Sequence, residues 1–166
     1  ASEAYCHAYH RSYGADVRIA RLFSVYGVGM RRFAIHDLIR KIQANPLELE
    51  ILGDGTQIRD YLYVDDAVRG LVAIATSGTA GEDYNLAFGE PVRVVDLARL
   101  IAKLMGYPTI RLRMTGQSFP GDTSRWYADI TKIRSLGFSA QVPLEEGLRR
   151  TIAWMGSLAT HTVTEN

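Results

Sequence analysis

The sequence predicts an α/β fold. Three observations carry that expectation. Short β-prone runs alternate with longer stretches whose apolar residues recur at helical spacing, along nearly the whole chain. The predicted strands are mostly short, which suits a smaller α/β lobe attached to something larger better than a full doubly wound sheet. Composition is that of a globular chain with a core to bury, at 47% hydrophobic and 22% charged residues.

Taken in order, Ser2 to Tyr13 has helical character, with Ala4, Tyr5, Ala8, Tyr9 and Ser12 on one stripe and Gly14 as its stop. Val17 to Phe23 is β-prone, and SVYGVGM after it reads as a Gly-rich loop. Ile35, Leu38, Ile39 and Ile42 fall at i, i+3, i+4 and i+7, which marks an amphipathic helix ending at Asn45-Pro46. Leu47 to Leu52 reads as a strand, Asp54-Gly55 as a turn, and Tyr61 to Val64 as another short strand. Asp65 or Asp66 is expected to cap the next helix, with Val68, Leu71, Val72 and Ala75 as its buried stripe. After the loop SGTAGED come a strand from Tyr84 to Ala87 and a helix on Val94, Leu97, Ile101 and Leu104, ended by Gly106. Thr109 to Met114 alternates as a strand, and Thr115 to Arg125 is a polar loop. Asp129 is expected to cap a short helix through Ser135. Pro143 opens a last helix with Leu144, Leu148, Ile152 and Met155 inside. From Gly156 the chain is polar, and a flexible tail over 156–166 is expected.

Bulk properties narrow the function classes. Net charge is +1, so no field draws the chain to nucleic acid or an anionic membrane. No apolar run approaches the roughly 18 residues needed to cross a bilayer. No stretch reads as a signal peptide. The single cysteine, Cys6, excludes an internal disulfide and is expected to pack on its helix; a cytoplasmic location fits. The opening ASEAYCHAYH has neither Met nor a capping residue and reads as if entered within a helix, so a piece of a longer protein is expected.

Few constellations carry chemistry. His7 and His10 share a helix without further ligands at metal spacing, so no metal site is expected. Neither a G-x-S-x-G elbow nor a P-loop occurs, and Gly27-Val28-Gly29 is only a fragment of a Gly-rich loop. Arg59, between a glycine turn and a strand, is presented from a fixed base. It can grip a phosphate with both arms of its guanidinium, or pair with Asp60, Asp65 or Asp66; residue types alone leave both open. Arg125, in GDTSRWYAD, sits beside hydroxyls and an aromatic ring. Ser24 stands where a strand ends and a loop begins, the kind of place where ligands of open α/β sheets collect, though a hydroxyl there also simply forms turns.

Five blocks, in order from Ala1 to about Met155, resemble the C-terminal half of the extended short-chain dehydrogenase/reductase family, the NAD-dependent epimerases and dehydratases of nucleotide sugars. ASEAYCHAYHRSYG resembles the helix after the catalytic Tyr-x-x-x-Lys. VRIARLFSVYGVGM resembles R-x-x-N-V-Y-G-P-G. ILGDGTQIRDYLYVDDAVRGL is similar to the G-x-G-x-Q-x-R-D-(F/Y)-x-Y-V-x-D block. YNLAFGEPVRVVDLARLIAKLMG and PGDTSRWYADITKIRSLGFSAQVPLEEGLRRTIAWM resemble the two closing segments.

The resemblance implies an α/β chain that joins a C-terminal substrate-binding lobe to the last strand and helix elements of a Rossmann-type NAD(P)-binding fold. By this division, 1–27 is a remnant of the Rossmann-type domain and 28–155 is mainly the substrate lobe. It implies NAD, with NADP open, bound mainly by an N-terminal half whose glycine fingerprint is not in this sequence. The catalytic Tyr and Lys would lie upstream of Ala1, so the isolated chain is expected to be inactive. The substrate would be a nucleotide-diphosphate sugar, transiently oxidised as in UDP-glucose 4-epimerase. Arg59 matches the diphosphate-binding arginine. The strand carrying Leu49 and Ile51 matches the segment along the nucleobase, and Leu22 and Phe23 match positions near the nicotinamide. Ser24 stands in place of a phosphate-binding Asn, Val28 in place of Pro, and Phe119 in place of a second phosphate-binding Arg in R-P-G-D. Arg125 is the candidate replacement for that charge, and Asp122 a candidate to order the loop or contact ribose. The first helix matches part of a four-helix dimer seam, so a homodimer is expected. A non-catalytic sugar-nucleotide-binding or interaction module derived from such an enzyme is the alternative, favoured by Phe119 and Ser24.

Overall fold

In the computed structural model, residues 1–117 and 121–161 are described. Along them run α1 (Ser2–Tyr13), β1 (Ile19–Leu22), β2 (Ser24–Tyr26), α2 (Phe33–Ala44), β3 (Glu48–Ile51), β4 (Ile58–Arg59), β5 (Tyr61–Tyr63) and α3 (Val64–Ser77). There follow β6 (Asp83–Leu86), β7 (Val92–Arg93), α4 (Val94–Leu104), β8 (Arg111–Met114), β9 (Arg125–Trp126), α5 (Thr131–Arg134) and α6 (Leu144–His161). The fold is α/β, with β1 parallel to β6, β2 to β5 and β3 to β8. The two-residue β4 lies between β7, antiparallel, and β9, parallel.

Strand β5 separates two cores. Successive side chains of a strand point to opposite faces. Tyr61 and Tyr63 therefore join the larger cluster with Ile35, Ile39 and Ile42 of α2, Leu49 and Ile51 of β3, and Leu97 and Ile101 of α4. Leu62 joins the smaller one with Ile74 of α3, Leu86 of β6 and Ile133 of α5. The periodicities of α2 and α4 did point at the core: Ile35, Leu38, Ile39 and Ile42 are buried, as are Leu97 and Ile101. Helix α6 crosses the tyrosines so closely that a Cβ on Gly147 would lie 2.2 Å from the Tyr26 hydroxyl, which donates to the Leu144 carbonyl at 3.1 Å.

Several sequence expectations are corrected. SVYGVGM is not all loop, because Ser24–Tyr26 forms β2 on β5. Two-residue strands carry too little pattern to read, and β4, β7 and β9 went unseen. In α3 the buried residues are Asp66, Ala67, Gly70 and Ile74, while Val68, Leu71 and Val72 are exposed. The reason is close approach: a Cβ on Gly70 would lie 2.3 Å from Leu86 Cδ1, so the small-residue face meets the sheet and the larger residues point away. Neither aspartate caps α3 through its side chain. Asp66 instead accepts the amides of Gln141 and Val142 at 2.8 and 2.9 Å and pairs with Arg69. Helix α6 continues through Gly156 to His161; residues 162–166 of the expected tail lie outside the described residues. No described helix is long and apolar enough to cross a membrane.

Candidate functional site

A cleft of roughly 880 Å³ opens beside the C-terminal end of β1 and is bounded by β2, β3, β4 and α2. In parallel α/β structures this is where strand ends leave room for ligands. Leu22, Phe23, Ser24, Ile51, Arg59 and Asp122 all border it.

Arg59 is fixed before its side chain begins. Its Cα partners are Val92 of β7 on one side and Trp126 of β9 on the other. The turn preceding it is also built in. Gly53 and Gly55 take φ of 75° and 76°, a region that favours glycine. Asp54 Oδ1 accepts from the amide and hydroxyl of Thr56 at 2.8 and 2.7 Å, and the hydroxyl and amide together hold its carboxyl below the usual range. The carbonyls of Gly55 and Gln57 receive the amides of Val95 and Val94, which ties the turn to the head of α4. The two flanking strands β3 and β4 belong to different sheets, so the turn makes no hairpin.

The side chain of Arg59 is 18% exposed. Nη1 donates to its neighbour's carbonyl, Ile58 O, at 2.8 Å, and Nη2 donates to Asp122 Oδ1 at 2.6 Å. The three aspartates that the sequence offers as its counter-ions are engaged elsewhere. Asp60 is wholly buried and accepts the amides of Phe88 and Gly89 at 2.9 and 3.0 Å. Burial pushes its pKa up despite those amides. Asp65 lies 3.6 Å from Arg150, and Asp66 holds the 141–142 segment. The acidic partner of Arg59 is thus a fourth residue, on the opposite loop.

A smaller polar recess of about 290 Å³ adjoins this pair, bordered by Ser24, Gly121, Thr123 and Trp126 besides Arg59 and Asp122. Ser24 is half-buried, and its amide donates to the Asp60 carbonyl at 3.1 Å. Phe23 packs against Trp126, ring centroids 5.7 Å apart and tilted by 47°. Leu22 is about half exposed at the rim.

Other candidates fall differently. Leu49 is buried in the core and does not border the cleft, whereas Glu50, Ile51 and Leu52 do. Arg125 is exposed and outside the cleft lining, while its neighbour Trp126 borders both cavities, as strand alternation requires. Phe119 lies outside the described residues. Among those described, no group of His, Cys, Asp or Glu is arranged to hold a metal ion; His10 bonds the Ala15 carbonyl through Nδ1 at 2.9 Å. Sequence reasoning missed Asp60 and Trp126. The signal for Trp126 was its place beside Arg125 in GDTSRWYAD; Asp60 was read only as a counter-ion.

The family model described as NAD dependent epimerase/dehydratase family matches residues 1–87. The chain is 32% identical over 156 residues to UDP-glucuronate 4-epimerase of Thermodesulfobacterium geofontis, covering 92% of this chain and 47% of that protein. It is 35% identical over 150 residues to dTDP-glucose 4,6-dehydratase of Streptomyces griseus, covering 89% and 45%. Among solved structures it is similar to UDP-glucuronic acid 4-epimerase of Bacillus cereus in complex with UDP-glucuronic acid and NAD. There the TM-score is 0.84 at 33% identity, over 94% of this chain and 50% of that one. The chain spans about half the length of the curated relatives it matches. With the family model aligned over the strand that ends at Leu22, the turn before Arg59 and the strand from Asp83 to Leu86, the chain belongs to the NAD-dependent epimerase/dehydratase family.

Proposed function

We propose that this chain is the nucleotide-sugar-binding part of an NAD-dependent epimerase or dehydratase, with Arg59 as its diphosphate clamp. The observation that carries the reading is Arg59 itself: a cation held from both sides by strands, largely shielded from water, bordering the cleft. In such a place a guanidinium fork matches phosphate oxygens, and shielding strengthens the attraction. Ser24 adds a hydroxyl donor beside it. Met30, Phe33 and Leu52 give the α2–β3 side of the cleft an apolar wall suited to a planar base.

Leu22 and Phe23 give the end of β1 an apolar edge that fits the face of a nicotinamide. NAD, when bound, supplies hydride removal and return; these residues orient and exclude water. The family's proton-transferring Tyr-x-x-x-Lys pair does not occur in this sequence, so the isolated chain is proposed to be inactive. Pairing of two copies through α1 is supported by Tyr5, Tyr9 and Tyr13, which are 68%, 57% and 77% exposed. A cytoplasmic enzyme fits these features. The second reading, a non-catalytic binding module, rests on Ser24 in place of a longer amide side chain.

Calorimetric titration of the full-length protein with UDP-, dTDP-, GDP- and CDP-sugars, followed by turnover assays with NAD, tests the proposal. We expect binding of at least one nucleotide sugar and its conversion. Binding without conversion favours the module, and no binding by any of the four overturns both readings.

A further inference from the structure

We infer that Asp60 is a positioning residue for the ligand: its buried carboxylate fixes where Arg59 presents its guanidinium, without itself reaching the cleft. The inference rests on the reading of Arg59 as the diphosphate clamp.

Asp60 is the single residue between β4 and β5. There the chain passes from the β7-β4-β9 sheet to the β2-β5 sheet. A one-residue joint lets two sheets swivel unless something holds it, and the Asp60 side chain supplies the hold. Alternation along the chain turns Arg59 and Tyr61 to the cleft and Asp60 the other way. Oδ1 accepts the Phe88 amide at 2.9 Å, and Oδ2 the Gly89 amide at 3.0 Å. Both amides lie between β6 and β7, so the carboxylate ties the joint to the end of the β1-β6 sheet. The Gly89 turn is built for this approach, with φ at 90° and no room for a Cβ, which would lie 2.5 Å from Ile130 Cδ1. The backbone of Ala128, two residues past Trp126, also stabilises the ionised carboxylate. The Asp60 carbonyl accepts the Ser24 amide at 3.1 Å. Ser24, Arg59 and Trp126 border the polar recess, and each is tied to Asp60 directly or within two residues.

The chemistry suits that role. A carboxylate is the side chain of this size that offers only acceptors, so it can receive several amides at once without turning a donor towards any. Such a fixed base matters for a guanidinium fork. A shift of about 1 Å beneath it would take one arm away from a phosphate oxygen.

The test measures the dissociation constant of UDP by calorimetry on the full-length protein, below the unfolding midpoint of every variant. Asp60→Asn keeps the shape but sets an N–H against the incoming amides. It is expected to weaken UDP by about tenfold, as loss of an outer hydrogen bond that orients a ligating group does. Asp60→Ala, which opposes no donor to the amides, should weaken UDP similarly. Asp66→Ala is the control for mere loss of stability. That carboxylate is equally buried and also holds two amides, but it lies outside the cleft lining. It should leave UDP within about twofold while lowering the unfolding midpoint. In an Arg59→Ala background, Asp60→Asn should weaken UDP by less than about a further twofold, because the two act through one contact. Full UDP affinity in Asp60→Asn, an equal loss in Asp66→Ala, or an undiminished loss without Arg59 would overturn the inference. So would failure of both Asp60 variants to fold, which would make Asp60 a residue of stability alone. If Arg59→Ala leaves UDP unaffected, the diphosphate reading falls and this inference with it. If Arg59→Ala weakens UDP while Asp60→Asn does not, only the positioning role falls.

Discussion

Nη2 of Arg59 and Oδ1 of Asp122 lie 2.6 Å apart across the polar recess, so the proposed phosphate clamp is closed on an internal carboxylate. An incoming diphosphate must displace Asp122 or share the guanidinium with it. Either way two negative groups compete for one cation. Asp122→Asn keeps the shape and removes the charge. We expect UDP to bind about three- to tenfold more tightly to this variant at low salt, as removal of a repulsive element predicts. Calorimetry measures it. Weaker binding would mean that Asp122 holds ligand or aims Arg59 rather than competing.

Asp66 should be a stability residue and not a binding one. It is wholly buried, and its two oxygens receive the Gln141 and Val142 amides, docking the segment that leads into α6. Asp66→Ala leaves two amides without acceptors and is expected to cost about 3 kcal/mol in urea unfolding. Arg69→Ala, at the partly exposed end of the same contact, is expected to cost about 1 kcal/mol or less. Equal effects would refute the division.

Tyr61 lies in the larger core, and its hydroxyl has no hydrogen-bond partner among the described residues. Removing such a group relieves a desolvation penalty, so Tyr61→Phe should be neutral or stabilise by about 1 kcal/mol. Burial pushes the Tyr61 pKa up to about 12. Between about pH 10 and that value the unfolded chain has released this proton while the folded chain keeps it, so stability falls as pH rises. The phenylalanine variant should lose less stability across that window than the parent, measured by urea unfolding at stepped pH. Identical alkaline profiles would contradict the account.

Much of this architecture was legible in the chain because it is written in repeated pattern. Ile35, Leu38, Ile39 and Ile42 name a helix face by spacing alone, and the turn at Asp54-Gly55 is where it was expected. What escaped is set by single contacts over long sequence distance. Asp66 looks like a helix cap until the amides of Gln141 and Val142 are found on it. The buried face of α3 follows from the fit of Gly70 against Leu86, and hydrophobicity alone favoured the opposite face. Arg59 was visible as a candidate, but its partner sits 63 residues away and could not be chosen over three nearer aspartates. Trp126 enters the cleft only because a two-residue strand turns it there.

The most direct measurement is the affinity of the full-length protein for UDP with and without Arg59. If Arg59 clamps the diphosphate, Arg59→Ala should weaken UDP by roughly 1.5–3 kcal/mol, on the order of ten- to a hundredfold, with the unfolding midpoint little changed. An unchanged dissociation constant in a folded Arg59→Ala protein would contradict the claim that the cleft binds its ligand through this residue.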